Sequence, residues 1–440
     1  MGFRELKKSV KVILIIGIVC SVTGSAIFLG WWFRPIKQIE IFDDKDFKRK
    51  YHLPGKGTEE DPYIIEGFNL ADNSHHNVRI LGVTKSFIIR NCIFEGSNKG
   101  IDLYGTYSGV VKIINNTFRN NDFGIMIRGY DGCLISNNTF IDNHEAIYGG
   151  RGSYVIEKNT ITSINVDSDN WDKGIHFSSY NTIIRNNYFN AVGDSIWLDY
   201  SEDIIIRENS FTNCGYGVFI NQGIDCIIEN NTVCNSSSGI VTQHCKSISV
   251  KGNNCFNNSV KGIAIYSTIY GLVENNSCIG NGWFGLKLSI VYNSICQNNI
   301  FNNNNYSGIY TYGTIDSTIN NNTCSDNGIG LSMYLTNSSI SYNAFEHNLE
   351  YGIRACVSNS TIWNNNFINN NYQNNPEITS QAYVVANTTY YAGYPIWYNN
   401  DTQQGNYWSE LTWFVGVEYT IDPGNHTDKY PLDDPIEIRI

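Results

Sequence analysis

The 440-residue chain is acidic and sparsely charged: 41 Asp/Glu against 30 Lys/Arg give a net charge of −11, and only 16% of residues are charged. An acidic body with no basic stripe argues against nucleic acid and against anionic lipid as partners. The one basic excess is local, ten Lys/Arg against five Asp/Glu within residues 1–50.

Residues 1–11 form a basic head carrying Arg4, Lys7, Lys8 and Lys11. Val12 to Phe33 is a run of 22 residues without a charge, long enough to cross a bilayer. Trp31, Trp32 and Phe33 stand where an interfacial aromatic belt belongs, and Arg34-Pro35 ends the span. A cleavable signal peptide would have to end near Gly24-Ser25-Ala26. The apolar run continues past that point, so an uncleaved transmembrane anchor is the expectation, with the head cytoplasmic and the long body outside. Residues 34–60 read as a charged linker, with 39–60 supplying a cap for the open sheet edge of the repeat region beyond Asp61.

From Asp61 to Asn371 the chain repeats one phrase: an apolar pair, Asn-Asn, a small residue, Phe, then Gly-Ile, as in Ile113-Ile114-Asn115-Asn116-Thr117-Phe118 and Gly124-Ile125. The Phe slot recurs at Leu70, Phe94, Phe118, Phe140, Ile161, Phe189, Phe211, Val233, Phe256, Cys278, Phe301, Cys324, Phe345 and Phe367, with a median spacing of 22 residues. Self-similarity at this period means a solenoid. Each repeat holds short β-branched runs broken by Asn, Gly and Ser, and no helical periodicity. The predicted fold is therefore all-β, a right-handed single-stranded parallel β-helix of about 14 coils of ~22 residues, with an N-terminal transmembrane helix and a cap at each end.

Two residues before the slot stands an Asn column, for example Asn116, Asn138, Asn231, Asn254 and Asn276. Stacked amides can bond coil to coil and to the turn backbone, so this column is read as structural. Gly precedes Ile in most coils, which is taken to mark a turn needing positive φ. Of the twelve cysteines, most read as small core fillers, and Cys234 with Cys255 is the best placed pair for a bridge. One interval, Ile161 to Phe189, is 28 residues, and the excess forms a loop that includes Ile164 to Lys173. Insertions of this kind collect on one face of a solenoid, often the binding face. Residues 372–440 are rich in Tyr and Trp and are expected to cap the last coil.

The opening phrase Gly55-x-Gly57-Thr58-x-x-Asp61-Pro62-Tyr63-Ile64-Ile65-Glu66 and the Asn-Asn-x-Phe coils lead to Gly405-Asn406-Tyr407-Trp408-Ser409. Together they resemble right-handed parallel β-helix proteins of the NosD type, grouped with carbohydrate-binding and sugar-hydrolase β-helices. The resemblance covers about residues 55–440 and extends to the ending Asp428-Lys429-Tyr430-Pro431-Leu432. It implies an extracytoplasmic place, at the cell surface or in a periplasm-like space. It also brings in a role, accessory factor in maturing a membrane copper enzyme, that no His/Met/Cys cluster here supports. Many relatives carry an Asp/Gly-rich run where this chain has Leu411–Gly416, so no metal is carried over.

In a β-helix, slots of the sequence become vertical columns. The residue after Gly-Ile is expected to point outward and includes Met126, Tyr148, His176, Trp197, Phe219, Lys287 and Tyr310; two residues on are Arg128, Asp199 and Tyr312. Tyr148, Trp197, Phe219, Tyr310 and Tyr312 form an aromatic wall suited to stacking on sugar rings. Arg128, Tyr148, Arg151, Asp172, His176, Asp194 and Asp199 form the densest polar cluster, with Trp197 stacked on His176 and Asp199 diagonal to it. The first reading is a non-catalytic binding or structural surface protein facing polysaccharide or glycoprotein. The second is a glycan hydrolase or lyase with His176, Asp194 and Asp199 as its catalytic groups. No cofactor is required by either; calcium at Asp167, Asp169 and Asp172 is the one candidate, although the spacing fails the EF-hand template.

Overall fold

The protein was analysed as a computed structural model that describes residues 37–71, 75–105, 109–129, 131–163, 172–371, 380–385, 394–411, 417–422 and 426–438. The expected anchor, Val12–Phe33, lies outside the described residues; among these, no helix is long and apolar enough to cross a membrane.

One coil shows how the chain winds. Val111–Ile114 forms a strand of the first sheet, Thr117–Arg119 of the second and Phe123–Arg128 of the third. Each strand of these three sheets pairs in parallel with its counterpart one coil away, so Phe118 lies between Phe94 and Phe140, and Met126 between Asp102 and Tyr148. Repetition builds sheets of 14, 15 and 15 strands. The chain is a parallel β-helix, and the only α-helix among the described residues is Asp46–Arg49.

The interior arises from alternation within each short strand. The middle residue of the second-sheet strand points inward, and its rings stack along the axis: Phe94 on Phe118 at 5.0 Å, Phe118 on Phe140 at 4.7 Å, Phe189 on Phe211 at 4.8 Å. At one end Phe47, on the short helix, stacks on Tyr63 at 4.5 Å and is fully buried. At the other, Trp408 lies on Phe367 at 4.1 Å and Tyr419 on Trp408 at 3.9 Å. The aromatic tail thus continues the Phe column beyond the last repeat, covering apolar rings that an open end would leave to water.

The Asn-Asn pair divides two tasks. Its first member adopts the left-handed conformation, with φ of 56° at Asn115 and 54° at Asn230, which Asn tolerates better than most residues. Its second member is the ladder. Asn231 Nδ2 donates to Ile206 O at 2.9 Å and to Asn253 Oδ1 at 3.0 Å, while Asn209 N and Nδ2 each donate to Asn231 Oδ1 at 3.0 Å. The ladder runs through Asn365 and Asn406 to Asp428, a carboxylate with no N–H of its own to place.

The structure corrects three expectations. The ladder residue at its middle is Asn253, not Asn254, and Cys255 rather than Phe256 fills the core slot against Val233. Gly252, at φ 60°, takes the left-handed place usually held by the first Asn, which shifts the phrase by one residue. The Gly before Ile is there for space, not for positive φ. A Cβ on Gly124 would lie 2.6 Å from Ala146 O and 2.9 Å from the Phe140 ring. The inward ring of the next coil therefore packs against bare backbone. Finally, Cys234 and Cys255 are not bridged, and the in-register neighbour of Cys255 is Cys278.

The other two corners carry ladders as well. Asn258, Asn281, Asn304, Asn327, Asn348 and Asn370 link Oδ1 to Nδ2 from coil to coil and end on Gln381. At the third corner Ser294, Ser317, Ser338 and Ser360 present a hydroxyl to the backbone N–H of the preceding coil.

Candidate functional site

The third sheet has the longest strands, reaching nine residues at Lys261–Ile269, Phe284–Tyr292 and Ser307–Ile315. Its outward residues stack in register, which places His176 between Tyr148 and Trp197, and Lys287 between Ala264 and Tyr310. Two patches stand out on this wall.

In the first, His176 Nδ1 is 3.1 Å from Glu145 Oε2, and its Nε2 is 3.8 Å from Asp199 Oδ2. Trp197 Nε1 donates to Asp199 Oδ2 at 2.6 Å and Asn221 Nδ2 donates to Oδ1 at 2.9 Å, so both oxygens of that carboxylate are oriented. Tyr148 meets the His176 ring edge-on at 5.2 Å, and the Arg128 guanidinium lies 5.9 Å from the Tyr148 ring centre. Asp194 occupies a neighbouring column made of Glu145, Lys173, Asp194 and Tyr216 on successive coils. Burial raises the Asp194 carboxyl above its ordinary value, partly opposed by the Lys173 ammonium. Lys173 also sits 4.6 Å over the Trp197 ring.

These contacts bring together His176, Asp199, Trp197, Tyr148 and Arg128, with Asp194 one column away. Two members of the expected set lie elsewhere. Asp172 faces His144 at 3.0 Å in the turn next to the wall. Phe219 is only 7% exposed: it stacks under Trp197 at 4.0 Å and packs with Val241 and Ala264, so its ring is support rather than offered surface. Of the calcium candidates, Asp167 and Asp169 lie outside the described residues. Glu145 and Lys173 escaped the sequence reading although they precede Ala-Ile and Gly-Ile by one place, a column as regular as the one after it.

The second patch lies five coils on. Trp283 and Tyr306 are 59% and 45% exposed and flank a cleft of about 640 Å³ with Phe284 as its floor. Lys287, Asn305 and Tyr310 complete the lining. Tyr312 is half exposed nearby, its ring 6.2 Å from Tyr334. Tyr310 and Tyr312 belong to the expected wall; Trp283 was missed because it stands in a turn outside the columns.

The fold is a solenoid whose long sheet displays rings, carboxylates and lysines in vertical register. The chain belongs to the NosD family, described as periplasmic copper-binding protein, whose model matches residues 147–281 and 225–412. A right-handed β-helix model matches residues 56–165 and gives the hand of the coil. Among solved structures, the fold is similar to a double mutant of the periplasmic alginate epimerase AlgG, at 12% identity and TM-score 0.52, covering 74% of this chain and 83% of that one. The Azotobacter vinelandii mannuronan C-5 epimerase AlgE4 A-module also matches, at 15% identity and TM-score 0.41, over 80% of this chain and all of that one. DFA-IIIase from Arthrobacter chlorophenolicus A6 matches at 12% identity and TM-score 0.42, over 68% of this chain and 82% of that one. No curated protein sequence matches the chain.

The copper named for the family does not fit the donors in view. Among the described residues no three His, Cys, Asp or Glu side chains converge as metal ligands. Most of the described cysteines are buried: burial pushes the Cys226 thiol up to about 12 and Cys245 to about 11, and Met333 is fully buried as well.

Proposed function

We propose that this is a membrane-anchored, extracytoplasmic β-helix that binds a surface polysaccharide or the glycan of a glycoprotein along its third sheet. The observation that carries the reading is the vertical register of that sheet. Rings at Tyr148, Trp197, Tyr310 and Tyr312 stand among hydrogen-bonding and charged groups on one wall, a pattern that suits sugar faces and hydroxyls together. The 22 uncharged residues Val12–Phe33 are the proposed anchor. The full-length chain is tested on a glycan array, with cell fractionation for the anchor. Selective retention of an extended glycan supports the reading; an array without hits overturns it.

A second reading, a glycan hydrolase or lyase, draws on His176 facing both Glu145 and Asp199, an arrangement able to hold and pass a proton beside a stacked sugar. Product analysis on any bound glycan separates the two. Cleavage lost in His176→Ala and Asp199→Ala favours the enzyme; binding without turnover favours the first reading.

A further inference from the structure

Two lysines on the wall have no acidic partner among the described residues. Lys261 Nζ donates to Tyr266 OH at 2.8 Å, and Lys287 Nζ lies over the rings of Tyr266, Phe284 and Tyr310 at 5.4, 5.7 and 5.6 Å. Among the described residues neither is within ion-pair distance of a carboxylate. This is unusual chemistry for a chain of net charge −11. Lys99 and Arg79 on the same sheet, by contrast, each lie 3.4 Å from Asp102.

Three aromatic rings surround the Lys287 ammonium, which lines the cleft between Trp283 and Tyr306. That ammonium therefore has little side-chain entropy left to lose when an anion arrives. Trp283 and Tyr306 come from adjacent coils, joined by the bond from Tyr306 N to Trp283 O at 3.0 Å, so the two exposed rings form adjoining walls rather than separate patches. The Asn305 amide adds a neutral hydrogen-bonding group to the lining.

We infer that this cleft is a subsite for a carboxylate-bearing sugar, a hexuronate within an acidic polysaccharide, with the ring against Trp283 and Tyr306 and the carboxylate on Lys287. The inference rests on the polysaccharide reading and narrows it to an anionic glycan at a site distinct from the His176 patch. A neutral glycan would use the aromatic walls and leave the lysines idle. An anionic one gains charge-assisted hydrogen bonds of the stronger kind.

The test is titration of the full-length chain with an oligogalacturonide, a neutral cello-oligosaccharide and a dextran sulfate fragment of similar length, monitored by calorimetry and Trp fluorescence. Wild-type protein should prefer the oligogalacturonide, and its affinity should fall as salt rises. Lys287→Gln and Trp283→Ala should each weaken it at least tenfold with unchanged thermal unfolding, and K287Q should also flatten the salt dependence. If oligogalacturonide binds but both variants match wild type, this site is overturned while the polysaccharide reading stands. Preference for the sulfated or the neutral oligomer overturns the hexuronate assignment. If none of the three binds and a glycan array is also silent, the broader reading falls and takes this one with it.

Discussion

The two patches on the third sheet are built in the same backbone slots, yet they offer opposite surfaces. His176 and Lys287 occupy one column, five coils and so about 24 Å apart at ~4.8 Å per coil. Around His176 the adjoining column alternates in sign through Glu145, Lys173 and Asp194, and charges largely answer one another. Around Lys287 the same adjoining column reads Lys261, Phe284 and Ser307, and the cations are answered by aromatic faces and the Tyr266 hydroxyl. A slot fixes where a side chain points. Its neighbours on adjacent columns and coils decide whether it is spent on the protein or left for a ligand.

That comparison requires both patches to hang from one continuous rod, and the most damaging substitution should strike the rod between them. Asn231 is fully buried on the intervening coils. Asn231→Ala would take the acceptor from the buried Asn209 N–H and remove the amide bonds to Ile206 O, Glu229 O and Asn253 Oδ1 at once. The expected loss is about 2–4 kcal/mol of unfolding free energy in urea, given roughly 1–3 kcal/mol per unsatisfied buried group and partial relaxation. A loss below about 1 kcal/mol would mean that sheet pairing alone holds the coils.

A narrower break should separate the patches. Gly308 opens the strand that carries Tyr310, and a Cβ there would lie 2.8 Å from Gly330 O and 2.9 Å from Asn327 Nδ2. Gly308→Ala should cost about 1–3 kcal/mol through overpacking. Because strain travels first to the in-register neighbours, hexuronate affinity should drop while the fluorescence of Trp197 beside His176 keeps its wild-type character. Equal damage at both patches would show that the rod transmits strain over its whole length.

Much of this was legible in the amino-acid order because parallel, in-register pairing turns sequence period into spatial neighbour. His176 on Trp197 and Tyr310 on Lys287 come from counting alone. What counting missed has physical causes. Gly252 can stand in for Asn in a left-handed turn, so the phrase slipped by one residue there and Asn254 took a ladder place that belongs to Asn253. Gly before Ile carries no mark to say whether backbone freedom or a neighbour's ring demands it, and the packed Phe140 ring decides for space at Gly124. The second Asn ladder was visible as Asn258, Asn281, Asn304 and Asn327, three residues past their core slots, but it was not read as a column. Trp283 sits in a turn, where no periodicity says which way a side chain faces.

The smallest expected effect concerns charge, and again the two patches should differ. Burial raises the Asp194 carboxyl in the folded chain. Over the window that opens near the ordinary carboxylate value, about 3.9, and closes at the raised one, the folded form keeps a proton that the unfolded form has released. Stability therefore falls as pH rises through that window. Asp428 and Glu410 in the C-terminal cap shift in the same direction through burial, so the wild-type profile sums all three. Asp194→Asn removes one contribution: its thermal-unfolding profile should be flatter than wild type on the acid side and higher by a degree or so above the window. Asp194 is partly solvated and faces Lys173, which keeps the difference small. The aromatic cleft has no acid to titrate, so hexuronate affinity in Asp194→Asn should follow the wild-type pH dependence. If it does not, the alternating column around His176 reaches further along the wall than its own contacts.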